Sequence, residues 1–220
     1  FFKTFRNGDA IASMQKLENK NAAHLTTLAP EVENGIELIR ELKRQNWTIS
    51  IGHTRADFDI LNRALEAGAR QVTHLFNAMT GVHHREIGVA GWALSSDEVS
   101  CEIIADGIHV APEILKFALR AKTAERLVLV SDSVLPTGLG DGDFEIWGEK
   151  ISVVEGKTRN ARGSIAGSVI TMLDAARMYG SLGTSDAEIS KMTSHNPARL
   201  LGCEKTRGSI EIGKQADLVV

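Results

Sequence analysis

The sequence predicts an α/β fold, a parallel sheet built from consecutive strand–helix units, and three observations predict it. Five short apolar or β-branched runs recur about every 25 residues. Segments with helical periodicity separate most of them. Residues able to bind a metal or move a proton stand where the runs end, and in strand–helix architectures the carboxyl ends of the strands share one face.

The runs are His24–Leu28, Trp47–Ile51, Gln71–Leu75, Cys101–Ala105 and Arg126–Val130. After the first, Val32, Ile36, Ile39 and Leu42 form one helical stripe that stops at Gln45-Asn46. After the second, Ile60, Leu61, Ala64 and Leu65 form another, closed by Gly68 as a helix stop. A third helix starts at Pro112 and carries Ile114, Leu115 and Ala118. Beyond Asp132 the rhythm changes. Residues 136–143, Pro-Thr-Gly-Leu-Gly-Asp-Gly-Asp, read as a surface loop, and Phe144–Val154 as a hairpin with Gly148-Glu149 in its turn. Two helices are expected near Ser168–Tyr179 and Ser185–Thr193, and edge strands of a separate all-β element over 208–220. Residues 1–207 thus read as one domain with a hairpin inserted near 144–154. Five strand–helix units suit either a doubly wound sheet or the last five of an eight-stranded barrel, which typically takes about 250 residues. Rhythm alone does not choose between them.

Size and composition bound the function. The 220 residues are 43% hydrophobic, enough for one sizeable core, and the net charge of −3 favours neither nucleic acid nor an anionic membrane surface. No apolar run approaches the roughly 20 residues of a membrane-spanning helix, and the first ten residues do not read as a signal peptide. Cys101 and Cys203 are far apart in the chain, outside any CxxC pattern, which suggests a reducing cytoplasm rather than a disulfide framework.

Four strand ends carry candidate chemistry. His53 follows Gly52, His74 follows Thr73, Asp132 follows Ser131, and Asp106 leads through Gly107-Ile108 to His109. Each alone has a plain structural use: a hydrogen-bonded histidine, an aspartate capping a helix. Their coincidence on consecutive strands points to a shared catalytic face. Two imidazoles and a carboxylate there suit Zn²⁺ or a similar divalent ion. The turn at Asn77-Ala78 can hold an anion through backbone N–H groups, though Asn77 can equally stabilise its own turn. Arg85, in the cluster His83-His84-Arg85-Glu86, offers a planar fork to a phosphate, or is simply solvated. Gly163–Ser168, at an expected helix start, can cradle an anion or a sugar.

These segments are similar, in order and spacing, to N-acetylglucosamine-6-phosphate deacetylases of the amidohydrolase superfamily. The resemblance rests on residues 28–31 (LAPE), 52–54 (GHT), 73–79 (THLFNAM), 84–86 (HRE), 105–110 (ADGIHV), 130–132 (VSD), 166–168 (AGS), 196–199 (NPAR) and 213–218 (GKQADL). It implies a (β/α)₈ TIM-type barrel, of which this chain supplies strands four to eight, and a small β-sandwich begun by the edge strands of 208–220. By the resemblance, His53 and His74 are metal ligands for Zn²⁺, with Fe²⁺ or Co²⁺ as alternatives. Asp132 is the catalytic acid/base acting on a metal-activated water. Asn77, Ala78, Arg85, His109 and the Ile165-Ala166-Gly167 backbone contact the substrate. The implied reaction converts N-acetylglucosamine 6-phosphate to glucosamine 6-phosphate and acetate, in a cytoplasmic homodimer. The third metal ligand of such enzymes, a Glu in a Glu-Gly-Pro stretch upstream of LAPE, has no counterpart here. The expectation is therefore a chain that forms part of a longer enzyme. The competing readings are an amidohydrolase acting on a cyclic amide, and a non-catalytic barrel fragment.

Overall fold

The computed structural model describes residues 22–146 and 148–218. The five expected runs form a five-stranded parallel sheet: β1 (Leu25–Leu28), β2 (Thr48–Ile51), β3 (Gln71–Val72), β4 (Ser100–Ile104) and β5 (Leu127–Val130). Their spatial order is their sequence order. A doubly wound sheet reverses its order at a switch point. Right-handed crossovers that never reverse keep every connecting helix on the same face and curl the sheet into the arc of a barrel. The topology thus makes the choice that the strand rhythm leaves open: the sheet is part of a TIM-type barrel.

Helix α1 (Gly35–Arg44) buries Ile36, Ile39 and Leu42 as expected and gives way at Gln45, but Val32, the expected first member of the stripe, lies before the helix and is exposed. Helix α2 (Phe58–Ala67) is capped by Asp57, whose side chain accepts from the Ile60 amide. It ends at Gly68, whose φ of 118° is cheap only for glycine. Helix α3 (Gly88–Ser95) has no counterpart in the sequence reading. It is buried from Val89 to Leu94, so it carries no apolar stripe to betray it. Helix α4 (Pro112–Arg126) starts at its proline and breaks at Thr123, where φ is 57° and ψ 168°.

Past β5, an antiparallel meander of β6 (Gly142–Ile146), β7 (Glu149–Val154) and β8 (Lys157–Asn160) extends the expected hairpin by a third strand. Glu155 and Gly156 make the second turn, both at positive φ (49° and 73°), the combination that matches strand twist in two-residue hairpins. Three short helical pieces follow α5 (Met172–Ser181): α6 (Asp186–Ser190), a π-helical turn (Lys191–His195) and α7 (Asn196–Leu200). Buried Asn196 donates to the Ala124 and Leu127 carbonyls at 2.6 and 2.7 Å, pinning these pieces to the start of β5.

Two expectations are corrected. The helix expected from Ser168 begins at Met172, because Thr171 and Asp174 form a reciprocal capping box there while Ser168 bridges in parallel to Ser133. Residues 208–218 form bends, one turn and irregular chain rather than edge strands. A strand needs a partner edge, and the described residues offer none here: Ile210 and Ile212 are fully or nearly fully exposed. Val219, Val220 and the amino-terminal segment 1–21 lie outside the described residues.

Leu61 of α2 is completely buried in the hydrophobic core. Leu61→Ala should destabilise the chain by about 2–5 kcal/mol, read as a lower urea midpoint with an unchanged m-value.

Candidate metal and acid–base site

Each strand-end candidate stands two residues beyond its strand: His53 after Ile51, His74 after Val72, Asp106 after Ile104, Asp132 after Val130. The shared offset places all four on one rim. His53, His74 and Asp132 also share a backbone conformation, with φ of 50°, 34° and 50°. Phe76 (77°) and Ala78 (51°) extend the pattern, so five of the nine described non-glycine residues at positive φ lie in this site. Such conformations cost of order 1–3 kcal/mol each and cluster where function requires a particular side-chain direction.

The two imidazoles meet. Their Nε2 atoms are 2.8 Å apart and their rings are edge-to-face, with centroids 4.6 Å apart. His74 is buried, and its Nδ1 has no hydrogen-bond partner among the described residues. Burial lowers the pKa of His53, as does the neighbouring His74, while Asp132 acts in the opposite direction. The net effect favours the neutral ring, the form that binds a cation. Two nitrogens on one tetrahedral zinc at 2.0–2.1 Å lie about 3.3 Å apart, so a small opening of the pair admits an ion. In type and direction the pair fits a divalent metal. In number it does not complete a site: no group of three or more His, Cys, Asp or Glu side chains among the described residues is arranged to hold one.

Below His74 lies a carboxyl group that the sequence reading passed over. Glu102, in the middle of β4, accepts from the Gln71 side chain and the His74 backbone amide. Burial raises its pKa to about 7, against the lowering effect of the His74 amide and with a further push from Asp132. Its sequence signal was a lone acid inside the apolar run Cys101–Ala105. Glu31, after β1, accepts from the Thr54 hydroxyl and, at 2.9 Å, from the Arg55 amide, and so braces the loop that carries His53. Under this layer the hydroxyls of Thr27, Thr73 and Ser50 link three neighbouring strands at 2.8 and 2.6 Å.

The other candidates divide. His109 is held against Asp106 within the rim. Gly167 packs so tightly that a Cβ there would fall 2.9 Å from the Asp132 carbonyl, and Ser168 donates its amide to that carbonyl at 2.7 Å. Ile165–Gly167 therefore run beside Asp132, although the Ala166 amide is engaged by the Thr158 hydroxyl at 3.2 Å. Asn77 serves its own turn: its amide donates to the His74 carbonyl at 2.9 Å, and its side chain lies 3.3 Å from the His74 and Leu75 carbonyls. Arg85 is exposed, 2.7 Å from the His84 ring, and pairs with no carboxylate among the described residues. Its charge remains available to an anion.

Comparison with known proteins identifies the surroundings of this geometry. The amidohydrolase family model matches residues 10–220. N-acetylglucosamine-6-phosphate deacetylase of Bacillus subtilis is 43% identical over 197 residues, which cover 89% of this chain and 50% of that protein. N-acetylgalactosamine-6-phosphate deacetylase of Escherichia coli O157:H7 is 37% identical over 212 residues, covering 95% and 56%. The crystal structure of N-acetylglucosamine-6-phosphate deacetylase from Thermotoga maritima superposes with a TM-score of 0.87 at 32% identity, covering 93% of this chain and 56% of that one. The chain spans about half the length of the curated relatives it matches.

Glu102 gives the site a pH signature in the metal-free chain. Its folded pKa of about 7 lies above the ordinary 4.5. The unfolded chain therefore loses this proton first as pH rises, and stability falls between those two values. The Glu102 contribution should be a loss of up to about 3 kcal/mol. Urea denaturation from pH 4 to 8 in a chelator should show this slope, and Glu102→Gln should flatten it.

Proposed function

The chain belongs to the amidohydrolase family, and from that premise we propose that it supplies the metal-binding and acid–base face of a deacetylase acting on a 2-acetamido sugar 6-phosphate. The observation that carries the reading is the pair His53–His74, with Nε2 atoms 2.8 Å apart on adjacent strand ends and Asp132 near enough to act on the charge of His53. The named activities of the similar proteins support the substrate class. They include both an N-acetylglucosamine and an N-acetylgalactosamine enzyme, so the two 6-phosphates are the substrates to compare.

His53 and His74 would hold a divalent ion, most simply Zn²⁺, with Fe²⁺ and Co²⁺ as the alternatives. When bound, such an ion lowers the pKa of a water toward about 7 and polarises a carbonyl oxygen. Asp132 takes the proton from the water that attacks the acetyl carbon, then returns it to the departing amine. One carboxylate serves both steps because they are sequential. Glu102 and Glu31 hold the histidine-bearing loops. His109 contacts the sugar. Arg85 meets the phosphate, a charge-assisted and often bidentate pairing. The Asn77-Ala78 turn and the Ile165–Gly167 backbone line the approach. The active assembly is a homodimer in the cytoplasm; the free thiols Cys101 and Cys203 suit that compartment, and among the described residues no helix is long and apolar enough to cross a membrane.

Asp132→Asn in the active enzyme should lower kcat by at least about 10² while metal content, measured by atomic emission, stays near that of the wild type. Near-normal turnover by this variant would remove Asp132 from the chemistry.

Arg85 separates the substrate classes. Arg85→Ala should lower kcat/KM for acetate release from either 6-phosphate by at least about tenfold and leave the unphosphorylated sugars unchanged, with Arg85→Lys between. Equal loss on all substrates would make Arg85 a structural residue. Turnover of a cyclic amide without acetate release would overturn the deacetylase reading.

A further inference from the structure

Asp106 makes three hydrogen bonds in one short turn. Its Oδ1 accepts from the Ile108 and His109 backbone amides at 2.8 and 2.7 Å, and its Oδ2 lies 2.6 Å from Nδ1 of His109. Gly107, at φ 73°, lets the chain double back so that residue 109 returns over residue 106. Both side chains are almost entirely buried, 7% exposed for His109 and 3% for Asp106. Burial opposes the charge on Asp106, but the His109 ring and the two amides outweigh it, and the carboxyl titrates below its ordinary range. An ionised carboxylate only accepts hydrogen bonds. Nδ1 of His109 must therefore carry a proton. Nε2 has no protein partner among the described residues and is the one ring nitrogen left to a ligand.

We propose that Asp106 is a positioning residue that fixes the His109 proton on Nδ1, so that neutral His109 presents Nε2 as a hydrogen-bond acceptor. Such a ring takes a donor from its ligand: a sugar hydroxyl, not a carbonyl oxygen. Only protonated His109, paired with Asp106, can donate to a carbonyl. The identity of the ligand rests on the deacetylase reading; the tautomer does not.

Asparagine at position 106 reverses the arrangement. Its single carbonyl oxygen must serve the two backbone amides, because its NH₂ cannot face them. That NH₂ then faces Nδ1, which must accept, and the proton moves to Nε2. The test uses the metal-free chain labelled with ¹⁵N-histidine, at alkaline pH, with His109 assigned by the signal lost in His109→Gln. Long-range ¹H–¹⁵N correlations should show Nδ1–H with a bare Nε2 in the wild type, the inverted pattern in Asp106→Asn, and predominantly Nε2–H in Asp106→Ala. Nε2–H in the wild type, or an unchanged pattern in folded Asp106→Asn, overturns the proposal. If Asp106→Asn fails to fold by circular dichroism, the wild-type tautomer and the Asp106→Ala spectrum decide it. In the active enzyme, Asp106→Asn should lower kcat/KM at least about tenfold with metal content unchanged. Absence of deacetylase activity in the wild type would sink the functional reading and leave the tautomer standing. A kinetic loss without tautomer inversion would do the reverse.

Discussion

The site depends on a backbone constraint: three strands end by turning into the left-handed region at a residue that is not glycine. Parallel strands about 4.8 Å apart bring successive strand ends close together, but closeness alone does not aim their side chains. At His53, His74 and Asp132 the chain reverses its twist so that the side chains turn over the rim. Such a conformation persists only where the surroundings over-determine it. Here the surroundings are named groups. Glu102 accepts the His74 amide from the next strand, Glu31 grips the loop after His53, and the Asp132 carbonyl is bonded by the Ser168 amide from a segment 36 positions later.

The electrostatic arrangement follows from that scaffold. His74 is buried and His53 stands at the exposed edge of the pair, its pKa lowered by desolvation and by the neighbouring ring. Acidic groups surround them on β4 and β5, and one carries an elevated pKa because it is buried. The guanidinium lies outside, in an exposed loop with two more histidines. Charge is graded from the rim outward.

The sequence was most informative where chemistry and periodicity coincide. The strands, the stripes of α1 and α2, the proline start of α4 and the strand-end residues were legible because a two-fold or 3.6-fold period, or a rare residue type, marks each one. Helix α3 was not, since a helix buried all round has no stripe. Glu102 was hidden in a run whose apolar neighbours set its reading. Asn77 shows the limit of residue-type reasoning: an anion-binding turn and a self-capping turn have the same sequence, and only hydrogen-bond partners distinguish them. Over 208–218 the expected strands are absent for a related reason, because alternation marks a surface able to pair without supplying an edge to pair with.

Asn196 lies at the opposite end of the sheet. Its side-chain amide joins the Ala124 and Leu127 carbonyls, where β5 enters, and so fastens the terminal helices beneath the sheet. The same strand that ends in Asp132 thus begins in a clamp formed from a different stretch of the chain. Anchoring and the proposed chemistry are divided between the two ends of one short strand. Evolution, or an engineer, can therefore revise the loops of the upper rim for new substrates while the lower fastening keeps the register of the strand, and with it the depth at which Asp132 stands.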